Sequence, residues 1–260
     1  RRGNKVNKLF RAVKTPNRFG FTGTLPSDNL DKRNIFGKMG PQLYERKAHE
    51  LRDDKYVAKS KVHVLELNYI TPTAEIYHGT NSNAYYLQEN EFIRSSDYRN
   101  TLIANLCNKL DNNGLILVDY IEHGELLLEA LQLTCNHKDV YFIQGSVDIE
   151  QRKDIQNYME AQKNVIVIAI SKIFSTGINI KNLHYIVFGG GGKAKIKIVQ
   201  SIRRGLRLHI DKKELIIFDI ADNLRYGQRH MEQRLLLYDS EYITYKFTQY
   251  YETNQETKKT

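Results

Sequence analysis

The chain has only two cysteines, Cys107 and Cys135. Two thiols cannot build a ligand cluster, and neither has a histidine at a zinc-finger spacing. A reducing, cytoplasmic setting is therefore the expectation. Long apolar runs are also missing. The longest strongly apolar stretch is Val165 to Ile170, far short of the ~20 residues that cross a bilayer, so no membrane is expected as a partner. No charged-then-apolar signal segment opens the sequence, and the first residue is Arg1 rather than Met, which points to a processed or truncated product. Internal repeats, coiled-coil heptads and proline-rich linkers are absent. No two of the eight histidines stand at a metal-binding i, i+4 spacing, so structural roles are expected for them and no metal site is assigned.

Acidic residues are missing from residues 1 to 18, which hold Arg1, Arg2, Lys5, Lys8, Arg11, Lys14 and Arg18. A second basic run, Lys193 to Lys213, sets its lysines and arginines against the single acid Asp211. Within a net charge of +9, such clusters attract polyanions, nucleic acid above all. A solubilising face has the same composition, so charge alone does not separate the two. A hydrophobic content of 41% is that of a globular chain and excludes wholesale disorder.

From about Leu115 short apolar runs alternate with amphipathic stretches. The runs are 115–118, 140–143, 165–170, 185–188 and 215–218, each the length of a strand buried on both faces. Helices are expected over 122–133, 149–161 and 194–208. Asp148 with Gln151 reads as an N-cap pair, and Leu102, Ile103, Leu106, Cys107 and Leu110 form a further helical stripe. This rhythm predicts an α/β fold, a doubly wound parallel sheet with helices on both faces. Upstream, residues 18–22 read as a strand ending in a turn and 61–69 as another, with no clear period over 29–60. Residues 1–75 are read as the remnant of one lobe plus a connector, 76–222 as a second lobe, and 223–260 as a C-terminal helix and tail.

Open parallel sheets bind ligands beyond the carboxyl ends of their strands. After the run ending at Ile170 comes Ser171-Lys172-Ile173-Phe174-Ser175-Thr176-Gly177-Ile178-Asn179, whose amides and hydroxyls suit phosphate oxygens. An ordinary capping turn uses the same residue types. Further on stands Gln200-Ser201-Ile202-Arg203-Arg204-Gly205-Leu206-Arg207. On a helix Arg203 and Arg207 share a face, with Arg204 three residues from Arg207. Their mutual repulsion is relieved by full solvation or by an anion held among the guanidinium forks. Near the start, Thr22-Gly23-Thr24 closes the first run.

In order, these segments resemble the late motifs of superfamily 2 helicases. Thr22-Gly23-Thr24 is similar to motif III, Phe174 to Asn179 to motif V, and Gln200 to Arg207 to motif VI. Leu115 to Gly124 stands where motif IV falls, and Gln144-Gly145-Ser146 with Arg152 where the family has a short Gly-to-Arg motif. The Phe-Ser-Thr-Gly-Ile turn and the following Lys-Asn-Leu-His resemble the phage UvsW-type helicases. That resemblance implies a RecA-like second lobe preceded by the remnant of a first RecA-like lobe. It implies that Arg204 is an arginine finger, Arg207 a second phosphate contact and Gln200 a coupling residue. Gly177, Asn179, Thr22 and Thr24 would border the nucleotide, while Ser171, Ser175, Thr176, Gly145, Arg152 and Lys193 would face nucleic acid. The implied cofactors are ATP and Mg²⁺. The implied partners are DNA, with RNA not excluded, and the first lobe of the same protein; a phage-encoded chain would work in the host cytoplasm. Arg203 departs from the motif VI glycine, and Asn179 stands where many relatives carry aspartate.

No credible Gly-x-x-x-x-Gly-Lys-Ser/Thr loop appears. In Gly189-Gly190-Gly191-Gly192-Lys193 the lysine is followed by Ala194, and the first glycine of the motif would fall at Val187, so this is read as a turn. Val118-Asp119 and Phe218-Asp219 resemble strand ends closed by an acid, a common capping pattern. The expectation is therefore a helicase or translocase motor lobe whose ATP grip lies mainly elsewhere, inactive by itself. The alternatives are a non-enzymatic nucleic-acid-binding module, the motor subunit of a restriction enzyme, and an RNA helicase.

Overall fold

A computed structural model describes residues 2–15, 17–22, 25–26, 28–45, 59–71, 73–79, 81, 84–144, 149–171, 182–190, 214–240 and 243–253. They fall into two compact units, Arg1–Lys47 and Ala48–Thr260.

The first unit contains α1 (Arg2–Ala12) and α2 (Asn29–Met39). Helix α2 was not legible from periodicity, because it buries no residue and its apolar positions form no stripe. Its ends were punctuated nonetheless. Asp28 Oδ1 accepts from Leu30 N at 2.7 Å and Asp31 N at 3.1 Å, and Gly40 closes the helix at φ 86°, a left-handed conformation natural to glycine. The strand expected over 18–22 does not form. Phe19 and Phe21 are 73% and 97% exposed, and the described residues of this unit include no strand to pair with. A ladder needs two chains' worth of amides and carbonyls, and an apolar run alone does not supply them.

The second unit is a seven-stranded, all-parallel sheet. In chain order it runs β1 (Lys59–Asn68), α3 (Thr73–Ile76), α4 (Tyr85–Ser95), α5 (Asp97–Lys109), β2 (Gly114–Val118), α6 (Ile121–Thr134), β3 (Asp139–Ile143), α7 (Ile149–Ala161), β4 (Val165–Ile170), β5 (Tyr185–Phe188), β6 (Glu214–Asp222), α8 (Arg225–Ser240) and β7 (Tyr245–Tyr251). The strands lie in the order β3-β4-β2-β5-β6-β1-β7, the doubly wound arrangement expected. Strand β1 registers Lys59 against Glu214 and Val62 against Tyr245. Its ten residues therefore lie inside the sheet, although the sequence reading had set them before residue 76. Strand β7, within the stretch expected to be tail, continues the same sheet beside β1.

Alternation sorts each strand between two cores. Val62, Val64, Leu115, Leu117, Val165, Val167 and Ile186 face one side, where Met159 of α7 and Tyr238 of α8 cover them. Ile116, Val118, Ile166, Ile168, Val187 and Ile220 face the other, under Ile103 and Cys107 of α5 and Leu127 and Leu131 of α6. Each such aliphatic side chain contributes roughly 1.5–3 kcal/mol by leaving water, which is why strands this short hold a fixed register.

Both cysteines are buried and free. Burial, with Cys135 beside it, pushes the Cys107 thiol up to about 12, and burial raises Cys135 as well. Because the thiolate is the reactive species, a thiol reagent near neutral pH should label neither in the folded chain and both after denaturation. Prompt labelling of the native chain would contradict this packing.

Candidate functional site

All seven strands being parallel, their carboxyl ends meet along one edge, and the loops leaving that edge bear the candidate residues. Strand β4 ends at Ile170 and hands over to Ser171, whose side chain is buried. The Ser171 Oγ donates to the Val118 carbonyl at 3.1 Å, tying the end of β4 to the end of β2. Its proton is thus spent inward, and Ser171 fixes where the segment after it departs. Beside it, the chain leaving β5 crosses the end of β2, with Gly190 N donating to Leu117 O at 2.9 Å. A Cβ on Gly190 would stand 2.4 Å from Asp119 Oδ2. A side chain at this second glycine of the tract would have to displace the half-exposed Asp119 carboxylate.

Two of the acids singled out near strand ends have different places. Asp119 does follow β2. Asp219 lies inside β6, fully buried, and accepts from Arg234 Nε at 2.7 Å and Tyr238 Oη at 2.8 Å. Its expected place at a strand end is corrected: β6 continues to Asp222, because a buried arginine and tyrosine neutralise the acid within the core. The true strand-end acid, Asp222, accepts from Arg99 Nε at 2.8 Å, Arg99 Nη2 at 3.4 Å and Tyr69 Oη at 2.6 Å.

The start of α8 adjoins this cluster. Glu89 of α4 accepts from Gly227 N at 2.7 Å and Tyr226 N at 2.9 Å, and from the Tyr77 hydroxyl. It thereby caps the helix from a distant element. Burial raises the Glu89 carboxyl above the ordinary glutamate range, against the pull of these hydrogen bonds. A Cβ on Gly227 would lie 2.3 Å from the Asp222 carbonyl, so only glycine lets the helix start this close to the strand end. Neither Arg99–Asp222 nor Glu89 was found by sequence reasoning. Their partners lie more than a hundred residues away, and no local signature announces such a pair.

Of the site residues named from sequence, few lie within the described residues. Thr22 is exposed, in a stretch without regular structure. Arg152 belongs to α7, its side chain outside the description. Thr24, Gly145, Ser175, Thr176, Gly177, Asn179, Lys193, Gln200, Arg204 and Arg207, with the helix expected over 194–208 and the Asp148 cap, lie outside the described residues. The structure does place the points from which their segments leave along one edge: Gln144 after β3 and Ser171 after β4 on adjacent strands, and Gly190 after β5 on the far side of β2. No three metal-ligating side chains gather among the described residues, and no described helix is long and apolar enough to cross a membrane.

Residues 97–209 match the helicase conserved C-terminal domain family. That stretch, less than half of the chain, carries a helicase C-terminal domain. It is similar to the ATP-dependent DNA helicase UvsW of Enterobacteria phage T4, at 30% identity over 210 residues, covering 79% of this chain and 40% of that protein. The crystal structure of T4 UvsW superposes with a TM-score of 0.62 at 30% identity, covering 74% of this chain and 42% of that one. A probable helicase, D10, of Escherichia phage T5 is 26% identical over 179 residues, covering 66% of this chain and 39% of its own length. The DNA-bound restriction-modification enzyme LlaBIII shares the fold, with a TM-score of 0.56 at 12% identity over 94% of this chain and 19% of that one. The chain thus spans about 40% of the length of the curated relatives it matches. The matched domain begins at α5 and includes β2 to β5, and the loops of the carboxyl edge around Ser171 and Gly190 fall within it.

Proposed function

We propose that this chain is the C-terminal motor lobe of an ATP-dependent DNA helicase or translocase, working by unwinding or branch migration. The observation that carries the reading is the 210-residue match to an ATP-dependent DNA helicase, beside a helicase-domain match over 97–209 that takes in residues 115–124, 174–179 and 200–207. In this reading ATP and Mg²⁺ are gripped mainly by a first lobe, and this lobe closes on the nucleotide from the other side. Arg204 reaches the γ-phosphate, Arg207 makes a second phosphate contact, and Gln200 couples the cleft to movement. Gly177, Asn179, Thr22 and Thr24 border the nucleotide. Ser175, Thr176, Gly145, Arg152 and Lys193 face the DNA backbone, and Ser171 sets the direction in which that segment leaves β4. Closure on ATP and reopening after hydrolysis step the lobe along a strand.

By itself the chain should turn over no ATP, because catalysis of phosphoryl transfer is positioning and charge stabilisation from both sides of the γ-phosphate. The test is ATP hydrolysis by a protein joining this chain to a nucleotide-gripping first lobe, with and without DNA. DNA-stimulated turnover by the joined protein, and none by the chain alone, is the expected result. No DNA dependence at any salt would replace the motor with a passive nucleic-acid-binding module.

A further inference from the structure

Outside the matched helicase domain, a pocket of about 450 Å³ opens where β6 passes into α8. Its walls include Tyr77 and Tyr85 from the segment after β1, and Asn223, Arg225 and Gln228 from the start of α8. The Arg225 guanidinium lies 5.6 Å from the centres of both the Tyr85 and Tyr226 rings. Arg229 stands over Tyr226 from the next turn at 6.0 Å, and Tyr86 meets Tyr226 edge-to-face at 5.4 Å.

Three features distinguish this surface from an ordinary solvated helix start. Arg225 occupies the first turn of α8, which holds no acid, although the helix dipole favours anions and disfavours cations there. The amides of Tyr226 and Gly227 are already taken by Glu89, so the helix end itself offers nothing to a ligand and the side chains must. Among the described residues no carboxylate lines the pocket or pairs with Arg225. The Tyr85 ring and the Arg225 guanidinium are the chemistry that stacks an unpaired base and holds its phosphate, while the Gln228 amide donates to that of Asn223.

Position supports the same occupant. The pocket opens from the carboxyl end of β6, two strands from β2 in the order β2-β5-β6, or roughly 10 Å at the usual interstrand spacing. A few nucleotides of a single strand lying along the same edge of the sheet span that distance.

We infer that the pocket walled by Tyr85 and Arg225 is a second contact for single-stranded nucleic acid, stacking an unpaired base and binding its phosphate beside the motif-bearing loops. The inference rests on the proposed motor reading and extends its track beyond the matched domain. The test is equilibrium binding of a short oligothymidylate and of a blunt duplex to the full chain across a salt series, with circular dichroism as the fold control. Arg225→Ala, at an exposed position, should weaken oligothymidylate binding about tenfold and make the slope of log K against log salt shallower by about 0.7. Tyr85→Leu should weaken it by about tenfold while leaving the slope unchanged, since it removes stacking and no charge. Duplex binding should not respond to Tyr85→Leu. If both variants bind oligothymidylate like wild type while Arg152→Ala weakens it, the pocket is overturned and the motor reading stands. If wild type binds no oligothymidylate at low salt, the pocket and the DNA track fall together. Equal losses on duplex and single strand overturn the stacking role.

Discussion

Replacing Arg204 with alanine, in a protein that joins this lobe to its nucleotide-gripping partner, is expected to lower DNA-stimulated ATP turnover by about 10³ to 10⁵. The proposal gives Arg204 one task, to meet charge that builds on the γ-phosphoryl oxygens as the bond to the leaving phosphate breaks. Such a contact acts in the transition state, so kcat should collapse while ATP binding, followed with a fluorescent analogue, changes little. Arg203→Ala is the informative control: it removes an adjacent positive charge to which no phosphate contact is assigned, and should leave turnover within a few-fold. Equal losses at both positions would indicate a general electrostatic field rather than one finger. Retention of turnover in Arg204→Ala would remove Arg204 from the mechanism.

Asp222→Ala is expected to cost about 3–5 kcal/mol of folding stability, measured by urea unfolding of the chain. The Arg99 side chain is completely buried and that of Asp222 is 2% exposed. Removing the carboxylate strands a guanidinium in the core and leaves the Tyr69 hydroxyl without its acceptor. Against a typical total of roughly 5–15 kcal/mol, this could consume most of the margin. The double replacement Arg99→Met with Asp222→Leu should recover much of the loss, since an apolar pair avoids desolvating two charges. A loss under about 1 kcal/mol would mean that the guanidinium finds water once its partner is gone.

The repeating half of the fold was legible because each buried strand is a short apolar run and each helix carries a stripe. Strands β2 to β6 and helices α5 to α8 follow from that pattern alone. Helix α2 escaped because it buries nothing, leaving only Asp28 and Gly40 to mark it. Strand β7 escaped because most of its residues are exposed, so Tyr245, Phe247, Tyr250 and Tyr251 give no inward face to read. The reverse error at 18–22 has the same root: an apolar run shows that a strand would be comfortable, and only a neighbour makes it one. For the site, sequence order could name segments 174–179 and 200–207 by their likeness to helicase motifs. It could not find Glu89 or the Arg99–Asp222 pair, whose chemistry exists only after α4, α5 and α8 have met.

Strand β1 is made early and its partners late. Lys59 registers with Glu214 and Val62 with Tyr245, so at roughly 5–20 residues per second the ribosome takes on the order of ten seconds or more to deliver them. Throughout that time both edges of the Lys59–Asn68 strand lack their native ladders, with Val62, Val64, Leu65 and Leu67 not yet enclosed. Sequence-distant pairing of this kind is slow to form. For a cell making this lobe, the vulnerable period is the interval before β6 and β7 emerge, when the waiting strand is a template for any extended chain nearby.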